Sequence, residues 1–148
     1  MSDVVFVTGA SSGFGEACAR RFAAAGHPLV VAARSLERLE ALRAELADLA
    51  PLHAARLDVR DRGAVEAFMD DLPPEFAGVG ILVNNAGLAL GTEPAHEVNP
   101  DDWDRMIETN VTGLVHLTHH VLKGMVARDH GHVVNIGSIA GLSLIHIS

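Results

Sequence analysis

The stretch Thr8-Gly9-Ala10-Ser11-Ser12-Gly13-Phe14-Gly15 lies between an apolar run, residues 4–7, and a segment of helical character, residues 16–25. A buried strand that enters a glycine turn and leaves it as a helix suits an anionic ligand. Glycine lets the backbone turn tightly and approach the ligand, and the free N–H groups of the first helical turn favour negative charge. The spacing is Gly-x-x-x-Gly-x-Gly and not the commoner Gly-x-Gly-x-x-Gly of dinucleotide-binding turns. Taken alone, the pattern is also compatible with a tight strand-to-helix turn that binds nothing.

Outward from that turn, strand and helix patterns alternate, which implies an α/β fold around a parallel sheet. Strands are expected at residues 4–8, 29–33, 53–57, 79–83 and 132–136. The first helix is expected over residues 14–25, stopped by Gly26. Ser35 is placed to cap a second helix whose Leu36, Leu39, Leu42, Leu46 and Leu49 fall on one face, with Pro51 ending it. Asp61 starts a third helix with Val65, Phe68 and Leu72 as its apolar stripe. A long loop over residues 84–99 precedes Pro100 and Asp101, where a helix begins and is expected to run unbroken to about Arg128. Trp103, Ile107, Val111, Leu114, Leu117 and Val121 lie near helical spacing along it. The whole reads as a Rossmann-type, doubly wound parallel sheet in three α/β/α layers.

Composition narrows the function. Of 148 residues, 49% are hydrophobic, enough for one packed domain. A net charge of −8 argues against a nucleic-acid or anionic-membrane surface. Cys18 is the single cysteine, so no intrachain disulfide or cysteine-rich metal site can form, and a buried thiol is expected there. No membrane span or signal pattern is visible, and a cytoplasmic location is expected. The chain has no tyrosine, and its one lysine is Lys123.

Ligands of such sheets bind beyond the carboxyl ends of the strands. Those ends carry Gly9, Ala10, Ser11, Ser12, Gly13, Phe14 and Gly15, then Arg34, then Asp58 and Val59, then Asn84, Asn85, Ala86 and Gly87, then Gly137 and Ser138. Arg34 is the most informative. Sheets that bind NAD carry an acidic residue here for the ribose 2′-hydroxyl, whereas a guanidinium suits a 2′-phosphate, so NADP is the expected cofactor. Asp58 could take an adenine amino group or cap the turn before the next helix. His116, His119 and His120 share one stretch of the long helix, but no nearby carboxylate completes a metal set, and no metal is expected. His96, in the loop after the fourth strand, is placed either to border a substrate entrance or to stand exposed.

Thr8-Gly9-x-x-x-Gly13-x-Gly15, Asn84-Asn85-Ala86-Gly87, Asn110 and Asn135-Ile136-Gly137-Ser138 arrive in the order and spacing of the short-chain dehydrogenase/reductase family, which the chain resembles over residues 4–141. Longer strings, Gly13-Phe14-Gly15-Glu16, Leu57-Asp58-Val59-Arg60 and Glu93-Pro94-Ala95-His96 among them, resemble the NADP-dependent 3-hydroxy acid dehydrogenases. The resemblance implies a hydride-transferring oxidoreductase acting on a small 3-hydroxy acid and its 3-oxo acid or semialdehyde. It implies that Gly9 to Phe14 cradle the pyrophosphate, Arg34 and Ser35 hold the 2′-phosphate, and Asp58 and Val59 meet the adenine. Asn85, Ala86 and Gly87 would line the ribose, Ser138 would bond the substrate oxygen, and Asn110 would hold a water in a proton relay. Another short-chain reductase, for a 3-oxoacyl carrier or a general alcohol, is the alternative enzyme. A dinucleotide-binding protein without catalysis is the alternative of another class.

The family's proton donor is a tyrosine with a lysine four residues later, beginning roughly a dozen residues past Ser138, and the lysine's charge lowers the tyrosine's pKa. The 148 residues contain no such pair. Residues 1–141 are therefore expected to be an incomplete dinucleotide-binding domain, truncated after the fifth strand, from a protein that forms a homo-oligomer when full length. Residues 142–148 depart from the family pattern and resemble the translation of a transposon-type sequencing adapter, and are kept out of fold reasoning.

Overall fold

A computed structural model of the chain describes residues 2–91 and 93–138. The expectations for residues 139–148, including the adapter-like tail, lie outside the described residues. The order is β1 (Val4–Thr8), α1 (Gly13–Ala24), β2 (Leu29–Ala33), α2 (Leu36–Leu46), β3 (Leu52–Arg56), α3 (Arg62–Asp70), β4 (Val79–Asn84), α4 (Pro100–Ile107), a π-helical segment (Glu108–Gly113), α5 (Leu114–Ala127) and β5 (His132–Asn135). The five strands pair in parallel in the order β3-β2-β1-β4-β5. The chain therefore winds outward from β1 to β3, returns to the other side of β1, and continues to β5. The reversal lies between β1 and β4, which is where open α/β sheets place their ligands.

Strand alternation sorts the core into two layers. Val5, Val7, Leu29 and Val31 meet α1 and α2 through Ala19, Ala23, Leu39, Leu42 and Leu46 on one face. Phe6, Val30, Leu82 and Val79 meet α3 and α5 through Val65, Leu117, Val121 and Met125 on the other. Both faces of β1, β2 and β4 are covered, as their continuous apolar runs require. Val133 and Val134 of β5 are half-buried.

Four local expectations are corrected. Among the five leucines read as one face of α2, only Leu39, Leu42 and Leu46 are buried. Leu36 is 41% exposed at the first turn of the helix, and Leu49 is 52% exposed because the helix ends at Leu46, before it. Ser35 occupies the N-cap but its side chain makes no cap hydrogen bond. Cys18 is half-buried, packed against the α1–α2 layer, and not fully enclosed. The long helix is not unbroken: the π-helical segment Glu108–Gly113 divides it. Val59 explains that interruption. A side chain at Gly113 would come within 2.8 Å of the Val59 backbone oxygen and Cγ2, so the widened turn and the glycine together let the end of β3 seat against the helix.

Candidate functional site

A cleft of about 440 Å³ opens over the carboxyl ends of β1, β2, β3 and β4. Gly9, Ser11, Ser12, Phe14, Arg34, Ser35, Asp58, Val59, Asn85, Ala86 and Gly87 of the sequence-derived set line it together. Ala10 is fully buried beneath the turn. Gly15 packs under it, and Gly13 sits at its crest. Ser138 and Asn110 do not line this cleft; they follow β5 and sit in the π-helical segment, respectively.

The glycines do separate work. Gly9 has φ +64°, and a Cβ there would lie 2.9 Å from the Ala86 Cα. Its bareness lets the turn lie against the loop after β4. A Cβ on Gly15 would overlap the Gly9 carbonyl and the Asn85 amide, so α1 can begin this close to β1 only without one. Gly13 has φ +58° and nothing within 4 Å of where its side chain would be, which leaves the turn's backbone open on that side.

Helix capping divides by position. α3 is capped by Asp61, whose carboxylate accepts from the Ala64 N–H at 3.0 Å, and α4 by Asn99, which accepts from the Asp101 N–H at 3.1 Å. The N-termini of α1 and α2, the two that border the cleft, have no side-chain cap bond from Ser12 or Ser35. Their first-turn N–H groups and dipoles are left for an anion.

The sequence reading missed Thr8, which organises the loop after β4. Its hydroxyl accepts from the N–H groups of Asn85 at 3.1 Å and Ala86 at 3.0 Å and donates to the Val83 carbonyl at 3.4 Å. The Asn85 amide then donates to the carbonyls of Thr8 at 3.0 Å and Gly9 at 3.2 Å. One rung over, the buried Asn84 donates to Thr118 Oγ1 and Asn135 Oδ1, both at 2.9 Å, which ties β4 to α5 and β5 three residues before Ser138. The Asn110 side chain bonds the loop after β4 and not its own helix. Its Oδ1 accepts from the Leu88 N–H at 2.9 Å and its Nδ2 donates to the Leu88 carbonyl at 2.8 Å, holding the loop like a paired strand.

The cleft is cationic in a chain that is acidic overall. Arg34, Arg38 and Arg60 line it with a single carboxylate, Asp58. Among the described residues, neither Arg34 nor Arg38 makes a side-chain hydrogen bond or a close ion pair. They stand one helical turn apart around Ser35, and the four-residue spacing from Arg34 was the signal that could have found Arg38. Arg60 is committed to Asp58, with Nη2 at 2.6 Å from Oδ2. Hydrogen bonds from the Arg60 side chain hold the Asp58 carboxyl below its ordinary range, opposed by partial burial and helped by the Arg34 charge. Asp58 also caps the turn before α3, its Oδ1 accepting from the Arg60 backbone N–H at 3.1 Å, while the cap of α3 itself is Asp61. His96 is 78% exposed and stands 3.3 Å from Glu97, away from the cleft. The rings of His119 and His120 meet edge to face at 5.6 Å.

The short chain dehydrogenase family matches residues 3–146. NADP-dependent 3-hydroxy acid dehydrogenase YdfG of Escherichia coli (strain K12) is 54% identical over 138 residues, covering 93% of this chain and 55% of that protein. Sulfoacetaldehyde reductase of Chromohalobacter salexigens is 53% identical over 142 residues, covering 95% of this chain and 56% of that protein. The closed form of serine dehydrogenase complexed with NADP+ superposes with a TM-score of 0.90 at 52% identity, covering 95% of this chain and 56% of that one. The chain thus spans about half the length of the curated relatives it matches. With its 3-2-1-4-5 parallel sheet and glycine turn, it belongs to the short-chain dehydrogenase family.

Proposed function

We propose that the protein carrying this chain is an NADP(H)-dependent oxidoreductase that interconverts a small 3-hydroxy acid and its 3-oxo acid or semialdehyde. The observation that carries the cofactor choice is Arg34 at the end of β2, which makes no side-chain hydrogen bond or close ion pair among the described residues, beside the uncapped N-terminus of α2. A 2′-phosphate there would meet the Arg34 guanidinium, the Ser35 hydroxyl and the first N–H groups of α2.

The residues present fit the rest of a dinucleotide. Gly9, Ala10, Ser11, Ser12, Gly13 and Phe14 form the pyrophosphate cradle, open above Gly13 and closed beneath by Gly15. Val59, buried against Gly113, makes an apolar wall for the base. Asn85, Ala86 and Gly87 line the ribose, at a height set by Thr8. When bound, the cofactor supplies or accepts hydride at its nicotinamide. Ser138, placed by the Asn84–Asn135 bond at the end of β5, would hydrogen-bond the substrate oxygen. Asn110 fixes the loop after β4 through Leu88, and its role in a water relay remains part of this proposal. The 148 residues hold no tyrosine, and Lys123 lies on α5, so the proton donor implied by the family pattern is not among them. We assign these residues the binding of cofactor and not turnover on their own.

The named relatives share a substrate chemistry. A 3-oxo acid and sulfoacetaldehyde both carry an anionic group one carbon removed from the carbonyl carbon. That shared arrangement, carboxylate or sulfonate, is the substrate class this reading predicts. The exposed apolar residues Trp103, Ile107, Val111, Val115, Leu122 and Val126 along α4 and α5 support a homo-oligomer.

Titration with NADPH and NADH, followed by nicotinamide fluorescence, tests the cofactor choice. NADPH is expected to bind at least about tenfold more tightly, the effect of one charge-assisted contact to the extra phosphate. Equal dissociation constants overturn it.

A further inference from the structure

Beside the phosphate end of the cleft lies a second hollow. It measures about 310 Å³ between α1 and α2, and Ser11, Ser12, Glu16, Arg20, Arg38 and Glu45 line it. Ser11, Ser12 and Arg38 line the cleft as well, so these three form the divide between the two. Of the hollow's two guanidinium groups, only one is paired. Arg20 lies 2.8 Å from Glu16 and 2.7 Å from Glu45, whereas Arg38 makes no side-chain hydrogen bond or ion pair among the described residues. The position of Arg38 is also costly. It is the third residue of α2, in the first turn, where the helix dipole disfavours a cation, and that N-terminus has no side-chain cap. A bare cation beside a bare helix N-terminus is favourable only when an anion joins them.

We infer that Arg38 is the second arm of the clamp on the 2′-phosphate, and that Arg20 keeps this arm free by occupying the two carboxylates of the hollow. The inference rests on the cofactor reading above and extends it to two residues outside the strand end. Charge supports the pairing of Arg38 with Arg34. A phosphate monoester carries nearly two negative charges at neutral pH, and one guanidinium balances one of them. Arg34, Ser35 and Arg38 line the same cleft, whereas Arg60, its other arginine, is committed to Asp58. Glu16 and Glu45 line the hollow that Arg38 borders and would compete for it. Arg20 bonds both, and these bonds, the one to Glu45 foremost, hold its guanidinium above its ordinary pKa. Arg20 is thus a positioning residue that acts through Arg38.

The test titrates the protein, as expressed from its own gene, and its variants with NADPH and NADH by nicotinamide fluorescence. Arg38→Ala is expected to weaken NADPH about fivefold, the upper end for an exposed ion pair, and to leave NADH within about twofold. Arg34 retains the rest of the preference. Arg20→Ala is expected to weaken NADPH about threefold by releasing Glu16 and Glu45 towards Arg38. In an Arg38→Ala background the same change should cost nothing further, the non-additivity of two residues acting in series.

Unchanged NADPH binding in Arg38→Ala overturns the inference, and so does an equal loss for NADPH and NADH, which would make Arg38 a structural residue. An Arg20→Ala effect of the same size in both backgrounds overturns the role of Arg20, because it then acts on the phosphate without Arg38. Retained NADH binding shows that each variant is folded. Equal constants for NADPH and NADH in the unaltered protein are a different result, since they remove the cofactor reading and this inference with it.

Discussion

Thr8→Val is the perturbation that best probes how the loop after β4 is held. Threonine and valine have nearly the same shape, so the buried position, 2% exposed, keeps its packing. What disappears is one acceptor shared by two backbone N–H groups, at 3.1 and 3.0 Å, and a weaker donation at 3.4 Å. A lost hydrogen bond that strands a buried donor costs about 1–3 kcal/mol. Asn85 and Ala86 are only half-buried, so water recovers part of each loss, and about 2–4 kcal/mol in total is expected. For a domain of this size that lowers the melting temperature by roughly 5–15 °C. Urea unfolding at constant m-value measures it directly. Thr8→Ser keeps the hydroxyl and should recover all but about 1 kcal/mol, the value of one buried methyl group. A Thr8→Val protein within about 0.5 kcal/mol of the unaltered one, or a serine variant as unstable as the valine variant, would refute the assignment of the loop to this hydroxyl.

Two further expectations concern charged side chains at opposite ends of the sheet. Gly80 of β4 lies under the Asp3 side chain, which crosses it to meet His130 Nε2 at 2.8 Å, and a Cβ at Gly80 would lie 2.5 Å from Asp3 Oδ1. Gly80→Ala is therefore expected to cost about 1–2 kcal/mol where Asp3 is present and to become neutral or mildly stabilising in an Asp3→Ala background, a coupling that a double-mutant cycle reads. At the other end, Arg60 depresses the Asp58 pKa from its ordinary value of 3.8, so the pair stabilises the fold above that value and the contribution fades as pH falls below it. Because both side chains are about one-third exposed, the effect should stay below about 1 kcal/mol; Asp58→Asn should flatten the acid side of a stability-against-pH curve between about pH 5 and 2, and parallel curves would contradict it.

The strands were the most legible part of the chain. Val4–Thr8 and Leu29–Ala33 begin and end where their apolar runs do, because a strand covered on both faces has no alternation to blur its limits. The cleft's contributors were legible for a related reason: a parallel sheet delivers every strand's carboxyl end to one rim, so topology alone collected Arg34, Asp58 and Asn85. What escaped depends on partners that local pattern does not encode. Thr8 was visible as a motif letter, yet its hydroxyl acts on residues 77 and 78 positions later. Asp58 looked like a free acceptor until Arg60, two residues on in an irregular segment, folded back on it. The reach of α2 was overestimated because helical spacing counts leucines, whereas burial depends on where the sheet lies beneath them. The break in the long helix left no mark in periodicity, since its cause is the end of β3 pressing on Gly113.

That break also sets a genetic constraint. A π turn packs one more residue into the same rise than an α-helix would, and each residue of an α-helix advances the chain by about 100°. Residues 108–113 therefore act as an inserted tooth in a ratchet. They turn Trp103, Ile107 and Val111 outward while Leu117, Val121 and Met125 face the sheet, although all six would share one side of a continuous helix. Removing a single codon from this segment would restore the regular spiral with α4 and α5 still in phase, whereas adding one would rotate the whole of α5 by about 100° relative to α4 and swing Leu117 and Val121 off the sheet. Lineages of this protein should thus tolerate the loss of one residue across these six positions but not the gain of one.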